Sequence, residues 1–467
     1  MDDKTIYARQ SVEKLMERSR KAQAVLETYT QEQVDKLAAA IAFKVSRKEI
    51  AKYLAELAFE ETQMGNVESK YLKLAKKIPG CFYDIKEQKT VGVIDYNPET
   101  GITMIGKPVG VIGALIPSTN PEATPVFKGM LAIRGRNSVV FGPHPASCRT
   151  TRKVVDIMRT ILEDNGAPAD IFICADQPSK VISQEIMNQC DVIMATGSKD
   201  MVRAAYSSGK PSYGVGVGNA VIVIDETVDL QDTARKIMIG KTGDNASGCS
   251  AENSLVIHTS IYHDMIKALK GVGAYLCNEA EKELLQQAMW HDGHLRREIV
   301  AKDIQVIARE AGITISDGIR FLMVEETKAG PEAPFSGEKL SLVLTLYRYG
   351  EFQEAVDMVN KITNYSGLGH SCGIHSFNNE RILKLALETK TSRVTVRQPH
   401  GAANSGNWYN GLAFTFSLGC GTWGGNSVSE NVTQKHYINI TRIAEPIQRE
   451  EPSEAEIYGS LLDGMKV

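Results

Sequence analysis

The chain has 467 residues, and 53 Lys and Arg against 56 Asp and Glu give it a formal net charge of −3. This balance excludes a basic nucleic-acid-binding surface as the dominant feature. No apolar run reaches the ~18 residues of a membrane-spanning helix, the N-terminus has no signal-peptide core, and the eight cysteines lack the spacing of a disulfide framework. We expect a cytoplasmic protein of roughly two to four structural units, with no nucleic-acid or membrane partner.

The first eighty residues have a helical pattern. Thr30 begins a capping box with Gln33, and the apolar residues behind it share one helical face: Val34, Leu37, Ala38, Ile41 and Ala42. Residues 91–104 instead alternate around turn residues at 97–101, which predicts a hairpin. The hairpin does not join the pattern that follows, so we expect it to pack elsewhere or against another subunit.

From Gly110 onward, short apolar runs alternate with helical stretches. The runs are bounded by Gly, Pro or Asp and lie at 110–116, 138–142, 171–174, 192–195 and 221–225. A second α/β segment has strand candidates at 254–258, 341–346 and 393–396, and a last strand-like run lies at 436–440. The alternation predicts an α/β fold with parallel sheets and a ligand at the carboxyl ends of the strands.

Two glycine-containing segments are candidates for phosphate binding. Gly214-Val215-Gly216-Val217-Gly218 is similar to a dinucleotide fingerprint, which needs a strand before it and a helix after it. Here a strand candidate follows, so we interpret this segment as a tight backbone turn. Ala195-Thr196-Gly197-Ser198 lies where a strand meets a helix, and the exposed N–H groups of a helix start suit an anion.

One cysteine differs from the others in its surroundings. Cys249 follows the polar, Gly-containing run Asp244-Asn245-Ala246-Ser247-Gly248, where a substrate can approach the sulfur, whereas Cys174 lies in an apolar strand typical of a buried thiol. His370, Cys372 and His375 are spaced like metal ligands, as are His291 and His294, but no second cluster completes either set. We predict no metal site.

Several segments together resemble the CoA-acylating branch of the aldehyde dehydrogenase superfamily. They include Lys107-Pro108-Val109-Gly110, Phe141-Gly142-Pro143-His144-Pro145, Glu338-Lys339-Leu340-Ser341, Gly367-Leu368-Gly369-His370 and Gly419-Cys420-Gly421-Thr422-Trp423-Gly424-Gly425-Asn426. The resemblance covers residues 10–442 and is strongest to the N-terminal half of bifunctional aldehyde/alcohol dehydrogenases and to acylating sulfoacetaldehyde dehydrogenases.

The resemblance implies the aldehyde dehydrogenase fold with three parts and a short tail. These are a Rossmann-like nucleotide-binding domain (1–90 and 106–229), an α/β catalytic domain (230–428), a β oligomerisation arm (91–105 and 429–445) and a C-terminal tail (446–467). The arm accounts for the isolated hairpin, and it implies a homodimer or homotetramer.

The resemblance also implies roles for individual residues. Cys249 matches the nucleophile, Asn120 the amide that stabilises the oxyanion with the backbone N–H of Cys249, and His370 a histidine of the acylating branch. On the cofactor side, Gly197 and Ser198 match the phosphate-binding helix start, and Glu338 the acid that holds the nicotinamide ribose. The expected cofactor is NAD(P), with CoA as co-substrate.

Two local features of the sequence bear on the choice between NAD and NADP and on whether water is activated in the site. Pro143 and His144, at the end of the strand at 138–142, are expected beside the cofactor, and no acid there selects NAD over NADP. Hydrolytic relatives carry a Glu in the segment corresponding to 213–218, where it activates water, and this chain has none. The interpretation is therefore CoA acylation. A hydrolytic dehydrogenase, a phosphate-dependent reductase and a non-catalytic nucleotide-binding protein remain the alternatives.

The run from Arg393 to Trp408 is dense in hydrogen-bond donors and resembles sulfoacetaldehyde enzymes more than acetaldehyde enzymes. Arg393, Arg397 and Asn404 are predicted to hold a sulfonate or carboxylate, because guanidinium and amide donors match its oxygens. Sulfoacetaldehyde is the first choice of substrate; succinate semialdehyde and acetaldehyde are the rivals. Alternatively, the arginines pair with structural acids.

Overall fold

The computed structural model describes residues 3–466; residues 1, 2 and 467, at the ends of the predicted first domain and tail, lie outside the described residues. The chain begins with five helices: α1 (Asp3–Leu26), α2 (Gln31–Val45), α3 (Lys48–Thr62), α4 (Val67–Leu72) and α5 (Ile78–Ile85), with a π-helical turn, Lys73–Lys77, between the last two. The capping box is confirmed, because Thr30 Oγ1 accepts from the backbone N–H of Gln33 at 3.3 Å and Gln33 Oε1 accepts from that of Thr30 at 2.8 Å.

The predicted hairpin forms from β1 (Gly92–Asn97) and β2 (Ile102–Pro108). The chain then builds a parallel five-stranded sheet of β3 (Val111–Leu115), β4 (Ser138–Gly142), β5 (Phe172–Cys174), β6 (Val192–Thr196) and β7 (Ser212–Val215), in the order β5-β4-β3-β6-β7. Its connecting helices are α6 (Thr124–Arg134), α7 (Cys148–Asp164), α8 (Lys180–Gln189) and α9 (Lys199–Tyr206). Strand order reverses beside β3, which is where such sheets bind ligands.

A second sheet has seven parallel strands in the order β10-β13-β14-β9-β8-β15-β16. Its strands are β8 (Ala220–Ile224), β9 (Glu252–His258), β10 (Ala274–Leu276), β13 (Phe321–Glu325), β14 (Val343–Tyr349), β15 (Cys372–His375) and β16 (Val394–Val396), while β11 (Trp290–His291) and β12 (His294–Leu295) form a separate small hairpin. Its helices are α10 (Leu230–Thr242), α11 (Tyr262–Gly271), α12 (Glu279–Met289), α13 (Ile304–Ala311), α14 (Phe352–Tyr365), α15 (Asn379–Glu388) and α16 (His400–Ala403).

The change from one sheet to the other comes earlier than the sequence suggested. The predicted boundary at residue 229 leaves the apolar run at 221–225 in the first unit, yet β8 pairs with β9 and β15 of the second sheet. The crossing is the glycine-rich segment at 216–219. A buried parallel strand looks the same in sequence whichever sheet it joins, because both of its faces are apolar.

After α16 the chain returns to the first sheet. Phe414, Val432 and Tyr437 join its hydrophobic core, and the Asn137 amide donates to the Tyr437 carbonyl at 2.7 Å. The chain then forms β17 (Ile438–Ala444), which pairs with β2 as the third strand of the hairpin sheet, and a short helix α17 (Glu454–Tyr458). Within residues 3–466, no helix is long and apolar enough to cross a membrane.

Candidate active site

A cavity of about 820 Å³ lies between the carboxyl ends of the first sheet, the second sheet and the returning C-terminal segment. Its walls include most of the residues predicted for the site: Asn120, Pro143, His144, Gly197, Ser198, Cys249 and Glu338. The structure therefore brings together side chains that are spread over more than two hundred residues of sequence.

Cys249 follows a distorted turn. Asp244, Asn245 and Ala246 have φ of 47°, 52° and 57°, in the left-handed region that non-glycine residues rarely adopt. Each such residue costs about 1–3 kcal/mol, so the surroundings must hold the turn in place. Asp244 accepts hydrogen bonds from the Asn66 N–H at 2.9 Å and the Ser247 hydroxyl at 2.7 Å. The N-terminal helices thereby fix the position of the nucleophile.

His370 is the direct partner of Cys249. Its Nε2 lies 3.2 Å from Cys249 Sγ, although the two residues are 121 positions apart. Burial raises the pKa of Cys249 to about 12 and lowers the pKa of His370 well below its usual value. The resting pair is therefore a neutral thiol beside a neutral imidazole, and the thiolate forms only when the proton moves to His370.

Behind His370 lies a buried hydrogen-bonded chain. His370 Nδ1 is 2.7 Å from Ser371 Oγ, which is 2.9 Å from Nε2 of His400. The Asn404 amide also donates to Ser371 Oγ, at 3.0 Å. Ser371 has one hydroxyl hydrogen for two imidazoles, so the tautomers of His370 and His400 are coupled. When Ser371 donates to His400, it accepts from His370 Nδ1 and leaves Nε2 free to take the thiol proton.

Asn120 is oriented by a lysine. Lys73 Nζ donates to Asn120 Oδ1 and to the carboxylate of Asp244. An ammonium group only donates, so it fixes the carbonyl oxygen of the amide towards Lys73. The Asn120 amide nitrogen donates one N–H to Thr119 Oγ1 at 3.4 Å, and its other N–H remains available to an oxyanion in the cavity.

The glycine-rich segment at 216–219 passes directly beside the nucleophile. A Cβ on Gly218 would lie 1.9 Å from the carbonyl oxygen of Cys249, which only glycine permits. The N–H of Gly218 donates to Glu338 Oε1 at 2.8 Å, and burial raises the pKa of Glu338 to about 8. The interpretation of this segment as a tight turn is consistent with its path, and its close approach to Cys249 is the reason for the turn.

Two helix starts lie on the cofactor side of the site. They differ in whether their backbone N–H groups are free to bind an anion. At the start of α7, the Glu61 carboxylate already accepts from the N–H groups of Arg149 and Thr150 at 2.8 and 2.7 Å. At the start of α9, the Ser198 side chain caps the helix through the Met201 N–H at 3.4 Å, and Gly197 and Ser198 line the cavity. The start of α9 is therefore the site that fits a phosphate.

The model of the aldehyde dehydrogenase family matches residues 6–283 of this chain. The chain belongs to the aldehyde dehydrogenase family. A sulfoacetaldehyde dehydrogenase from an Acholeplasma species is 42% identical over 97% of this chain and 94% of its own length. An acetylating succinate-semialdehyde dehydrogenase from Clostridium kluyveri is 38% identical over 96% of this chain and 99% of its own.

A solved structure extends the same relationship. The acetylating aldehyde dehydrogenase from Geobacillus thermoglucosidasius superposes with a TM-score of 0.92 at 38% identity, covering 97% of this chain and all of that one. The family resemblance inferred from the motifs and the predicted α/β dehydrogenase fold are confirmed.

None of the three residues predicted to bind the anion, Arg393, Arg397 and Asn404, lines the cavity of this dehydrogenase. The buried Arg393 donates to the carbonyls of His370 and Gly419, each at 2.8 Å, and to Asn404 Oδ1 at 3.1 Å. Arg397 donates to the Ser376 carbonyl at 2.5 Å and lies over the Phe377 ring. The partners are mostly backbone carbonyls, which a sequence pattern does not reveal.

The sequence interpretation missed the lysines of the π-helical turn. Lys73 and Lys77 line the cavity, and so do Ser405 and Trp408 from the donor-rich run. The only sequence signal was the cluster of lysines at 70–77 on a helix, which is also typical of a solvated helix face. Within residues 3–466, no group of three or more His, Cys, Asp or Glu side chains is placed to hold a metal ion.

Proposed function

We propose that this protein is a CoA-acylating dehydrogenase that converts a small anionic aldehyde to its acyl-CoA thioester. Sulfoacetaldehyde is the first candidate for this aldehyde. The observation that carries the proposal is the contact of the buried His370 with Cys249, which lies in the wall of a cavity whose carboxylates are not free to activate water. Among the described residues of the walls, the acids are Asp244 and Glu338. Asp244 is held by Lys73, and Glu338 is protonated at neutral pH because burial raises its pKa to about 8.

In the first half-reaction, His370 takes the proton of Cys249 and the thiolate attacks the aldehyde carbon. The Asn120 amide stabilises the resulting alkoxide together with the Cys249 N–H. A bound nicotinamide would supply the hydride acceptor, and loss of hydride from the alkoxide leaves an acyl thioester on Cys249. His370 then releases the proton it took from Cys249 to solvent. In the second half-reaction His370 takes the proton of the CoA thiol, the CoA sulfur attacks the thioester carbon, and the departing Cys249 thiolate takes the proton back from His370.

The dinucleotide is proposed to bind along the carboxyl ends of the first sheet. Gly197 and Ser198 would hold its pyrophosphate at the start of α9, and Pro143 and His144 would flank it at the end of β4. Glu338 would contact the nicotinamide ribose. The observation that supports this placement is that Gly197 and Ser198 line the cavity at a helix start where the Ser198 side chain caps one N–H group, that of Met201.

We also propose a homodimer or homotetramer built through the sheet of β1, β2 and β17. Nearly every residue of β1 and β17 is exposed, including Val93, Tyr96 and Ile443, and such uncovered strands favour pairing with another chain. A cytoplasmic location is proposed because all eight cysteines are unpaired, and reduced thiols are typical of cytosolic proteins.

The test is a substrate panel of sulfoacetaldehyde, succinate semialdehyde, acetaldehyde and butyraldehyde, each with and without CoA. We expect steady-state NAD(P)H formation to require CoA, with at most one equivalent formed per active site without it. We also expect a thioester product and the highest kcat/KM with sulfoacetaldehyde. Succinate semialdehyde is the second candidate because of the Clostridium kluyveri relative and its anionic end. A free acid formed without CoA would overturn acylation, and a preference for acetaldehyde would overturn the anionic substrate.

A further inference from the structure

One wall of the cavity carries more positive charge than its acids balance. Lys73, Lys76 and Lys77 come from the π-helical turn that joins α4 to α5. Lys73 is paired with Asp244, which also lies 3.4 Å from the buried Lys70. Lys76 is exposed at the rim. Lys77 also lies in this wall, and it has no carboxylate partner among the described residues.

The surroundings of Lys77 are those of a binding site for a small anion. Its Nζ donates to the Ser405 hydroxyl and lies 4.7 Å from the centre of the Phe416 ring. Lys77 and Cys249 both line the same cavity. A partly buried cation with neutral partners gains from an anionic ligand, because burial otherwise penalises its charge. π-helical turns are also frequent at functional sites.

We propose that Lys77, with the Ser405 hydroxyl, binds the anionic end of the aldehyde while Cys249 attacks its carbonyl. Lys77 is then the residue that determines specificity for a sulfonate or carboxylate over an alkyl group. The inference rests on the proposed acylating function and deepens it. It assigns to the lysine of the helix wall the role that the sequence assigned to Arg393, Arg397 and Asn404.

The first test compares Lys77→Met with Lys77→Arg. We expect Lys77→Met to raise KM for sulfoacetaldehyde by about tenfold or more, while kcat/KM for acetaldehyde changes by less than about threefold. Lys77→Arg should keep most of the discrimination. The matched control is Lys76→Met, which removes an exposed charge from the same turn. Equal loss of both activities in Lys77→Met would overturn the inference, since Lys77 would then act on Cys249.

The second test uses a non-reactive anion, 2-hydroxyethanesulfonate, as an inhibitor of acetaldehyde oxidation. Competitive inhibition of the wild type should weaken by about tenfold or more in Lys77→Met. Unchanged inhibition in the variant would place the anion elsewhere and overturn the inference while leaving acylation intact. Acetaldehyde oxidation that needs no CoA would instead refute the proposed function, so the two failures are distinguishable.

The third test is the pH dependence. Burial lowers the pKa of Lys77 to about 8, against the opposing influence of the Cys81 thiol. The neighbouring Cys81 and Cys249 thiols have pKa values raised to about 12 and stay neutral, and Lys73 is paired. KM for sulfoacetaldehyde should therefore rise above about pH 8 in the wild type but not in Lys77→Arg. If KM for sulfoacetaldehyde did not change with pH in either protein, the inference would be contradicted.

Discussion

Gly218 approaches the backbone of Cys249 so closely that a Cβ on the glycine would lie 1.9 Å from the cysteine carbonyl oxygen. Gly216, two residues earlier in the same segment, has no atom within 4 Å of its Cβ position. An alanine at Gly218 should displace the nucleophile, whereas an alanine at Gly216 should not. Comparing the two variants therefore distinguishes displacement of Cys249 from a general effect on the segment.

We expect Gly218→Ala to lower kcat/KM by about a hundredfold or more, because a shift of about 1 Å at the nucleophile is enough for such a loss. Gly216→Ala should retain activity within about threefold. The measurement is steady-state kinetics with circular dichroism as the control for folding. Similar activity in the two folded variants would contradict the close approach.

The protonation state of Cys249 leads to a prediction for alkylation. With its pKa raised to about 12, the thiolate fraction grows about tenfold per pH unit across the neutral range. Iodoacetamide should therefore inactivate the enzyme at a rate that rises from about pH 6 to pH 9 without a plateau. Cys249→Ala provides the control, since substrate-protected labelling should disappear. A plateau below about pH 8 would instead indicate a stable thiolate–imidazolium pair.

The hydroxyl of Ser371 is expected to act through the tautomer of His370. Ser371→Ala should lower kcat by about ten- to a hundredfold, the usual cost of losing a partner that orients a functional histidine. KM should change little, because Ser371 does not touch the substrate. The matched control is Ser392→Ala, since the Ser392 hydroxyl is buried without a hydrogen-bond partner. A parallel rise in KM and fall in kcat would point to a structural effect.

The exposed strands predict the quaternary structure. Light scattering at micromolar concentration should give a dimer or tetramer for the wild type. Ile443→Lys on β17 should shift the oligomeric state towards the monomer, because a charge at an apolar contact is costly. The control is Leu387→Lys on α15, which changes an exposed leucine away from the arm. A monomeric wild type would refute the proposed arm.

Cofactor choice is the last prediction. The segment that ends β4, with Pro143 and His144, carries no acid of its own to repel a 2′-phosphate. The Glu61 carboxylate of α3 is nearby but already accepts from the Arg149 and Thr150 N–H groups. The ratio of kcat/KM for NAD and NADP should therefore stay below about a hundredfold, which is roughly 2.7 kcal/mol. A stronger NAD preference would show that an acid from elsewhere, such as Glu61 at the start of α7, reaches the ribose.

Much of the site was predictable because its signals are local. The capping box at Thr30, the hairpin, the polar surroundings of Cys249 and the absence of an acid at 213–218 are properties of adjacent residues. Short-range backbone preferences and turn chemistry produce them wherever the chain is placed. These signals, read with the family motifs, led to the fold class and to residues that meet at one cavity.

Only the tertiary structure decided which groups become partners. The contact between Cys249 and His370 joins residues 121 positions apart, and β8 joins the second sheet although it follows β7 closely. Arg393 looks like an anion ligand in sequence, but buried carbonyls from distant segments satisfy its donors. Lys77 looks like a solvated lysine, yet the returning C-terminal segment covers it. Burial and long-range partners determine the chemistry of a charged side chain, and neither is encoded by its immediate neighbours.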